Sequence, residues 1–189
     1  MRITGGGARG IPLFLPKGDA VRPATDAMRQ SVFSSLGARV PGARFLDLFA
    51  GSGAYGLEAF SRGAAGGVFV EKDARTAAFI RQNIAAVGKS MGRPVDALQV
   101  VTADATHVMP GVAPDLVFID PPYAIIAEVA AKLFVRLDEL LAAKPDALVV
   151  FEMPGEVAMA PTGWNCIKQL GKGARQPTVR IFRSTRTSP

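Results

Sequence analysis

One quarter of the way along the chain, the sequence reads Asp47-Leu48-Phe49-Ala50-Gly51-Ser52-Gly53-Ala54-Tyr55-Gly56. An apolar run typical of a buried strand leads into this stretch, and a helical pattern follows it. Gly51, Gly53 and Gly56 match the spacing of a nucleotide-binding turn between a strand and a helix. Glycines let such a turn approach a ligand closely, while the helix N-terminus offers unpaired N–H donors. The stretch therefore predicts a ligand-binding turn at the edge of a sheet.

The carboxylate of Asp47, at the end of the strand, discriminates between ligands. It would repel the pyrophosphate of a dinucleotide, whereas it would attract an α-ammonium group. S-adenosylmethionine carries such an ammonium group and no phosphate. The pattern therefore favours S-adenosylmethionine over NAD as the cofactor.

Two further acids lie at or just after the ends of predicted strands. Glu71 can accept hydrogen bonds from ribose hydroxyls, and Asp104 can accept one from the exocyclic amine of adenine. Each acid alone could be an ordinary loop residue, but three at successive strand ends indicate a site. The predicted cofactor-binding residues are Asp47, Phe49, Ala50, Gly51, Ser52, Gly53, Glu71, Lys72, Asp104 and Ala105.

The order of apolar segments predicts an α/β fold. Strands are expected over 44–49, 67–71, 98–102, 115–119, 147–152, 164–170 and 178–184, with helices over 54–62, 74–87 and 124–143. This alternation is typical of a doubly wound, Rossmann-like sheet. The last two strands are joined by a loop too short for a crossover helix, so the last strand should run antiparallel. The prediction is a seven-stranded, mostly parallel sheet.

The first 43 residues do not show this alternation of strands and helices. Short extended segments around glycines predict a small hairpin or arm, and a helix is expected to begin near Thr25, with Thr25 or Asp26 as its N-cap. We therefore divide the chain into a basic N-terminal extension, residues 1–43, and a cofactor-binding domain, residues 44–189.

Asp120-Pro121-Pro122-Tyr123 directly follows a buried apolar strand. Two prolines stiffen the turn and bring no N–H groups that need partners. A conjugated amine is a poor nucleophile, and a carboxylate with a backbone carbonyl could accept its two N–H bonds and orient its lone pair. Tyr123 offers a ring to an unstacked base. We predict these four residues as the catalytic site; the alternative is a merely rigid turn.

Charge is unevenly distributed over the chain of 189 residues. Residues 1–44 carry seven basic and two acidic groups, and residues 168–189 carry six basic groups and no acid. The middle has a net charge of −5. Basic ends favour a polyanionic partner, although a solvated basic surface would look the same. One cysteine, Cys166, and one histidine exclude an internal disulfide and a Cys/His metal cluster. We expect Cys166 to be a buried strand residue and Trp164 to be a core residue. Without an apolar run long enough to cross a membrane, we expect a cytosolic protein.

The chain resembles the bacterial 16S rRNA (guanine-N2)-methyltransferase family of the RsmD type. The resemblance spans nearly the whole length and rests on the segments 1–6, 9–10, 22–26 with Arg29, 46–53, 56–59, 61–64, 70–73 and 120–123. It implies transfer of a methyl group from S-adenosylmethionine to guanine N2 in 16S rRNA, within an assembled 30S particle. We further expect the enzyme to be a monomer. One departure from the family pattern is the loop over residues 172–178.

The arginine-rich N-terminal segments distinguish this family from other methyltransferases. With neighbouring glycines that allow close approach, their cations are suited to phosphate contacts. The predicted RNA-binding residues are Arg2, Arg9, Arg22, Thr25 and Arg29. For the C-terminal arginines, RNA contact and protection of a sheet edge remain equal alternatives.

Four other functions share parts of this pattern. A DNA adenine-N6 or cytosine-N4 methyltransferase would share the chemistry but usually adds a large target-recognition domain. A protein glutamine methyltransferase fits the basic ends poorly. A non-catalytic RNA-binding module for ribosome assembly would not need Asp120. A dinucleotide dehydrogenase is disfavoured by Asp47.

Overall fold

The computed structural model of the protein describes residues 1–15, 25–108, 110–171, 173 and 176–186. These residues form seven strands and four α-helices. The strands are β1 (Arg44–Leu48), β2 (Gly66–Glu71), β3 (Leu98–Thr102), β4 (Leu116–Ile119), β5 (Leu148–Pro154), β6 (Trp164–Leu170) and β7 (Pro177–Ser184). The helices are α1 (Asp26–Leu36), α2 (Ala54–Ser61), α3 (Ala74–Met91) and α4 (Ile126–Leu140).

The strands form one sheet in the order β3-β2-β1-β4-β5-β7-β6. Strand β7 runs antiparallel to both of its neighbours, and the other six strands run in one direction. This arrangement confirms the predicted mostly parallel sheet with a reversed last strand. The chain moves outward from β1 to β3 and then returns to place β4 beside β1. The carboxyl ends of β1 and β4 therefore form the switch point at which open α/β sheets bind ligands.

Both faces of the sheet are covered by apolar helices. Helices α1, α2 and α3 bury side chains such as Phe33, Leu57 and Ile80 against one face, where the Tyr55 ring stacks on Phe118 at 5.4 Å between centroids. Helix α4 covers the other face with an apolar stripe that includes Leu133. The near-continuous apolar runs of the central strands are thus explained by burial on two sides.

Several element boundaries differ from those expected. Helix α3 continues past residue 87 to Met91, where Gly92 adopts a left-handed φ of 58° and ends it. Helix α4 is shorter than 124–143, because the chain first forms a 3₁₀ turn over Tyr123–Ile125. Strand β5 extends to Pro154 because it pairs with β7 as far as Pro177.

The outermost strand, β6, corrects one expectation about burial. Trp164 is buried, as expected of a core residue. Cys166, expected to be buried, is exposed. The reason is its position: β6 is paired only along β7 at the margin of the sheet, and its side chains from 165 to 169 are exposed.

The N-terminal segment folds back on itself before it reaches α1. The Ile3 N–H donates to the Ile11 carbonyl at 2.9 Å, and Arg2 forms an antiparallel bridge with Pro12. Ile3, Ala8 and Leu13 are buried in the core between the helices and the sheet. We call residues 1–15 the N-terminal arm. None of the described helices is long and apolar enough to span a membrane.

Candidate active site

A cleft of about 460 Å³ opens at the carboxyl ends of β1 and β4. Its volume is within the range of small-molecule sites. Its lining brings together residues from both halves of the predicted site, namely Asp47, Phe49, Ala50, Gly51, Ser52, Glu71, Lys72, Ala105, Asp120 and Pro122. Gly53 and Asp104, and Pro121 and Tyr123 of the turn, are not part of this lining.

Asp47 is a buried acid at the base of the cleft. Its Oδ2 accepts the Gly56 N–H of the first turn of α2 at 2.9 Å. Burial raises the pKa of Asp47 to about 8, and the nearby Glu71 carboxylate adds to the rise. Among the described residues, none forms an ion pair with Asp47. This carboxyl group is therefore suited to a cationic ligand, such as the ammonium group of S-adenosylmethionine.

Gly56 makes that hydrogen bond possible by allowing close packing. A Cβ at this position would lie 2.4 Å from the Phe69 ring and 2.5 Å from the Phe45 ring. The third glycine of the turn thus lets α2 approach the sheet closely and brings its N–H to Asp47. It serves packing rather than contact with the ligand.

Glu71 braces the glycine turn. Its Oε2 accepts the Gly51 N–H and its Oε1 accepts the Asp73 N–H, both at 2.9 Å. The role predicted from sequence, that of ribose acceptor, is compatible with these bonds because each carboxylate oxygen keeps a second lone pair. The same side chain can therefore set the shape of the turn and face the ligand.

Phe49 departs from ordinary backbone geometry. It has a φ of 58°, the one positive value among the described residues other than glycine. Such a conformation costs on the order of 1–3 kcal/mol and often occurs where a ligand is bound. It lies where the chain leaves β1 for the glycine turn, and Phe49 lines the cleft.

Asp104 lies at the margin of the site and is not part of the cleft lining. Its side chain is 45% exposed, and its Oδ1 accepts both the hydroxyl and the backbone N–H of Thr106, at 2.6 and 2.8 Å. These bonds lower the pKa of Asp104. The neighbouring Ala105 lines the cleft instead. That Asp104 accepts a hydrogen bond from the adenine amine stays a prediction, since both bonds from Thr106 go to Oδ1.

The Asp-Pro-Pro-Tyr turn forms the other side of the cleft. Asp120 and Pro122 line it, whereas Pro121 is buried and is not part of the lining. The Ile125 N–H donates to the Pro122 carbonyl at 3.0 Å and closes the 3₁₀ turn. Tyr123 begins this turn with 42% of its surface exposed. A stiff turn thus presents a carboxylate to the cleft and a ring to solvent.

Sequence reasoning missed Tyr55 and Glu152, which lie next to this turn. The Tyr55 hydroxyl donates to Glu152 Oε2 at 2.9 Å, and Tyr55 lines the cleft. Burial raises the pKa of Glu152 to about 7 and that of Tyr55 well above its usual value. A signal for Glu152 existed, because it is one more acid at the carboxyl end of an apolar strand.

The N-terminal arm contacts the protein's own helices through its glycines. Gly6 has a φ of 78°, and a Cβ there would lie 2.0 Å from the Ser61 carbonyl oxygen. The Gly7 N–H donates to that carbonyl at 2.8 Å, and the Ser61 hydroxyl donates to the Gly5 carbonyl at 2.6 Å. The expectation that these glycines allow approach to RNA is wrong for this run, which fits against the end of α2.

The predicted RNA-binding residues fall into distinct environments. Arg2 is exposed and lies 3.7 Å from Asp26, and Arg9 is also exposed. Thr25 is exposed, and its hydroxyl accepts the Met28 N–H as the N-cap of α1. Arg22 lies outside the described residues, as do residues 172, 174 and 175 of the divergent loop.

Arg29 is the exception, and its predicted phosphate contact is wrong for this structure. Its side chain is fully buried, and its guanidinium lies 2.9 Å from Asp26 Oδ1 and 3.8 Å from Glu58 Oε2. Glu58 also pairs with Arg62 at 2.7 Å and accepts the Thr4 N–H at 2.8 Å. Arg29 thus belongs to an internal ionic network that joins α1, α2 and the arm.

The reversed seventh strand, the glycine turn after β1 and the acid at its end define a class I S-adenosylmethionine-dependent methyltransferase, and S-adenosylmethionine is its cofactor. A family model described as "Conserved hypothetical protein 95" matches residues 1–181, and the chain belongs to this family. The membership predicted from the resemblance to RsmD-type methyltransferases is thereby confirmed.

Named relatives and a solved structure agree with this assignment. The chain is 37% identical over 123 residues to "Ribosomal RNA small subunit methyltransferase D" of Escherichia coli K12, covering 65% of this chain and 60% of that one. It is 30% identical over 177 residues to the Haemophilus influenzae protein of the same name, covering 92% and 89%. A solved hypothetical protein of Thermus thermophilus is 31% identical, with coverage of 96% and 98% and a TM-score of 0.72.

Proposed function

We propose that the protein transfers a methyl group from S-adenosylmethionine to the exocyclic N2 amine of a guanine in 16S rRNA. The observation that carries this proposal is that one cleft contains both the buried Asp47 and the Asp120 turn. A site for a cationic cofactor and a site for an N–H donor are thus adjacent. The names of the relatives support ribosomal RNA of the small subunit as the substrate.

The residues on the donor side of the cleft have the following proposed roles. Asp47 attracts the cofactor's ammonium group, while Glu71 faces the ribose and Phe49 to Gly53 shape the turn around the ligand. When bound, the cofactor supplies an electrophilic methyl group on a positively charged sulfur. Lys72 and Ala105 complete the wall on the nucleoside side.

Asp120 acts on the acceptor. The lone pair of guanine N2 is delocalised into the ring, so the amine is a poor nucleophile. Asp120 and a backbone carbonyl of the turn accept its two N–H bonds and direct the lone pair toward the methyl group. As the new C–N bond forms, the C–S bond breaks with its electrons on sulfur. One amine proton is released to Asp120 and then to solvent. Tyr123 stacks on the unpaired base.

The N-terminal extension, residues 1–43, is proposed as the RNA-contacting part. Arg2 and Arg9 present cations on the surface of the arm, and the arm borders the cleft at Leu15. Phosphate contacts at this place would orient a guanine toward Asp120. Because a single small module buries only a modest area on RNA, we propose that the substrate is an assembled 30S particle. We also propose that the enzyme acts in the cytoplasm as a monomer.

The test is methyl transfer from radiolabelled S-adenosylmethionine to 30S particles, naked 16S rRNA and duplex DNA, followed by nucleoside analysis. Label in N2-methylguanosine from the particle is expected. The Asp120→Ala variant should lose at least a hundredfold in rate, whereas the exposed Asp96→Ala control should match the wild type. Label in DNA adenine or cytosine, or an active Asp120→Ala enzyme, would contradict the proposal.

A further inference from the structure

Glu152 and Tyr55 form a buried pair beside the catalytic turn. Strands β4 and β5 are paired with Ile119 opposite Phe151. Asp120 and Glu152 each follow one of these residues, so the two acids leave neighbouring parallel strands at the same level. Asp120 lies two residues after Phe118, and Glu152 lies two residues after Val150. Side chains two residues apart in a strand point to the same face, and those of Phe118 and Val150 face α1 and α2. The two carboxylates therefore lie on the same side of the sheet.

Tyr55 connects this pair to the cleft. Its ring stacks on Phe118, and its hydroxyl donates to Glu152 at 2.9 Å. The negative charges of Glu152 and Asp120 both raise the pKa of Tyr55, which places the phenol near both acids. Tyr55 lines the cleft, whereas Glu152 is only 2% exposed. Glu152 can thus affect the substrate in two ways: by holding Tyr55 in place, or by the electrostatic effect of its own charge.

The groups that face Glu152 come from several elements. Helix α2 contributes Tyr55, and α1 contributes the buried Arg29, whose positive charge lowers the pKa of Glu152. The β4 end contributes Asp120. On β7, the cross-strand neighbour of Glu152 is Val179, which does not titrate. The hydrogen bond from Tyr55 and the charge of Arg29 favour the ionised form of Glu152. The loss of hydration on burial outweighs both and raises the pKa of Glu152 to about 7.

We propose that Glu152 is a positioning residue for the methyl acceptor: it holds Tyr55 against the catalytic turn, and in its ionised form adds negative charge behind Asp120. This inference rests on the proposed function. During transfer, positive charge moves from the cofactor's sulfur to the acceptor nitrogen, until the nitrogen releases its proton. A second carboxylate on the acceptor side stabilises that transition state more than the ground state.

The proposal is tested by the pH dependence of kcat at saturating S-adenosylmethionine, where the Asp47 site is filled. The wild-type kcat should rise with a midpoint near pH 7, because Glu152 must lose its proton. In the nearly isosteric Glu152→Gln variant, kcat at pH 8 should fall about tenfold, and the step near pH 7 should disappear. KM for the cofactor should stay unchanged.

Two further variants distinguish positioning from a structural role. Tyr55→Phe removes the hydrogen bond but keeps the acid, so kcat should fall severalfold while a titration step remains. The exposed Glu139→Gln variant on α4 is the matched control and should behave as wild type. A folded Glu152→Gln enzyme that keeps the wild-type pH profile would overturn the proposal, even if its melting temperature were lower.

A spectroscopic measurement separates this inference from the proposed function. Tyr55 and Tyr123 are the two tyrosines of the chain. In the Tyr123→Phe protein, the near-ultraviolet absorbance of Tyr55 should shift near pH 7, and the shift should vanish when Glu152→Gln is added. No shift would overturn the inference. A shift in an enzyme that labels none of the three nucleic acids would overturn the proposed function and leave the pair intact.

Discussion

Asn83 on α3 and Phe14 in the N-terminal arm are joined by two reciprocal hydrogen bonds. The Phe14 N–H donates to Asn83 Oδ1, and the Asn83 side-chain amide donates to the Phe14 carbonyl, both at 2.9 Å. The same amide also donates to the Ser52 carbonyl in the glycine turn at 3.0 Å. One fully buried side chain therefore connects the proposed RNA-contacting arm to the cofactor turn.

Replacing this amide should weaken both sites together. Asn83→Ala leaves the polar groups of Phe14 and Ser52 without this partner, so the free energy of unfolding should fall by about 1–3 kcal/mol. Because the turn is loosened, affinity for S-adenosylmethionine should fall severalfold. Chemical denaturation and calorimetry measure the two effects. Gln82→Ala, an exposed change on the same helix, is the control; equal behaviour of the two variants would contradict this role.

Cofactor binding should depend on the ionisation of Asp47. Its pKa of about 8 means that most molecules at pH 7 must lose this proton before they attract an ammonium group. Affinity for S-adenosylmethionine should therefore rise with pH up to about 8, with release of about one proton per cofactor. Calorimetry in buffers of different ionisation enthalpy measures that release. Asp47→Asn should bind more weakly and release no such proton.

The same acid should lower the stability of the free protein. The pKa of Asp47 is higher in the folded state than the ordinary value of 3.8, so the folded state binds this proton more tightly. Its contribution to the free energy of unfolding therefore falls as pH rises from about 4 to 8.

Asp47→Asn removes that dependence and should be more stable than the wild type at pH 8, by an amount on the order of a few kcal/mol. Urea denaturation of the free proteins at pH 5 and pH 8 measures the difference. Asp146→Asn, at an exposed position, should show no such gain. Equal stability of Asp47→Asn and wild type at both pH values would contradict the assigned burial cost.

Arg9 should act through charge on RNA. Its exposed guanidinium forms no ion pair with the described residues. Arg9→Glu should weaken RNA binding uniformly across sequences and reduce the slope of log affinity against log salt by about one. Filter binding across a range of salt concentrations measures this slope. A weakened complex with an unchanged slope would show that Arg9 does not contact a phosphate.

Arg29 should behave differently from Arg9. Arg29→Met leaves the buried Glu58 without one of its two ion-pair partners, so the free energy of unfolding should fall by about 3 kcal/mol or more. Thermal and chemical denaturation give the size of the loss. The salt slope of RNA binding, measured on the folded fraction, should stay as in the wild type. A changed slope with unchanged stability would reverse this assignment.

The sheet and the base of the cleft were predictable because their signals are local. The strand before Asp47, the glycine turn and the strand before Asp120 are each contained in about ten consecutive residues. The alternation of strands and helices then restricts the topology, because crossovers between parallel strands are right-handed. Because the strands that carry Asp47 and Asp120 are parallel, the two acids were expected at the same edge of the sheet, where the carboxyl ends of the strands lie.

The errors concern side chains whose environment is set by distant residues or by one local bond. Arg29 is buried because Glu58, far along the chain, lies beside it on α2. The sequence pattern around Arg29 gives no indication that Glu58 is its partner. The position of Asp104 outside the cleft lining was equally hard to foresee, because it depends on a local hydrogen bond from the Thr106 hydroxyl to its carboxylate. Cys166 is exposed because β6 occupies the margin of the sheet, a position set by strand order.

The place where β1 meets β4 also divides the enzyme into two chemical halves. In the proposed roles, the loops after β1, β2 and β3 hold the groups around the methyl donor, while the turn after β4 supplies Asp120 to the acceptor. Substitutions on the acceptor side can therefore alter which amine is methylated while leaving the donor pocket intact. Substrate specificity can therefore evolve through changes on the acceptor side while the cofactor-binding residues stay the same.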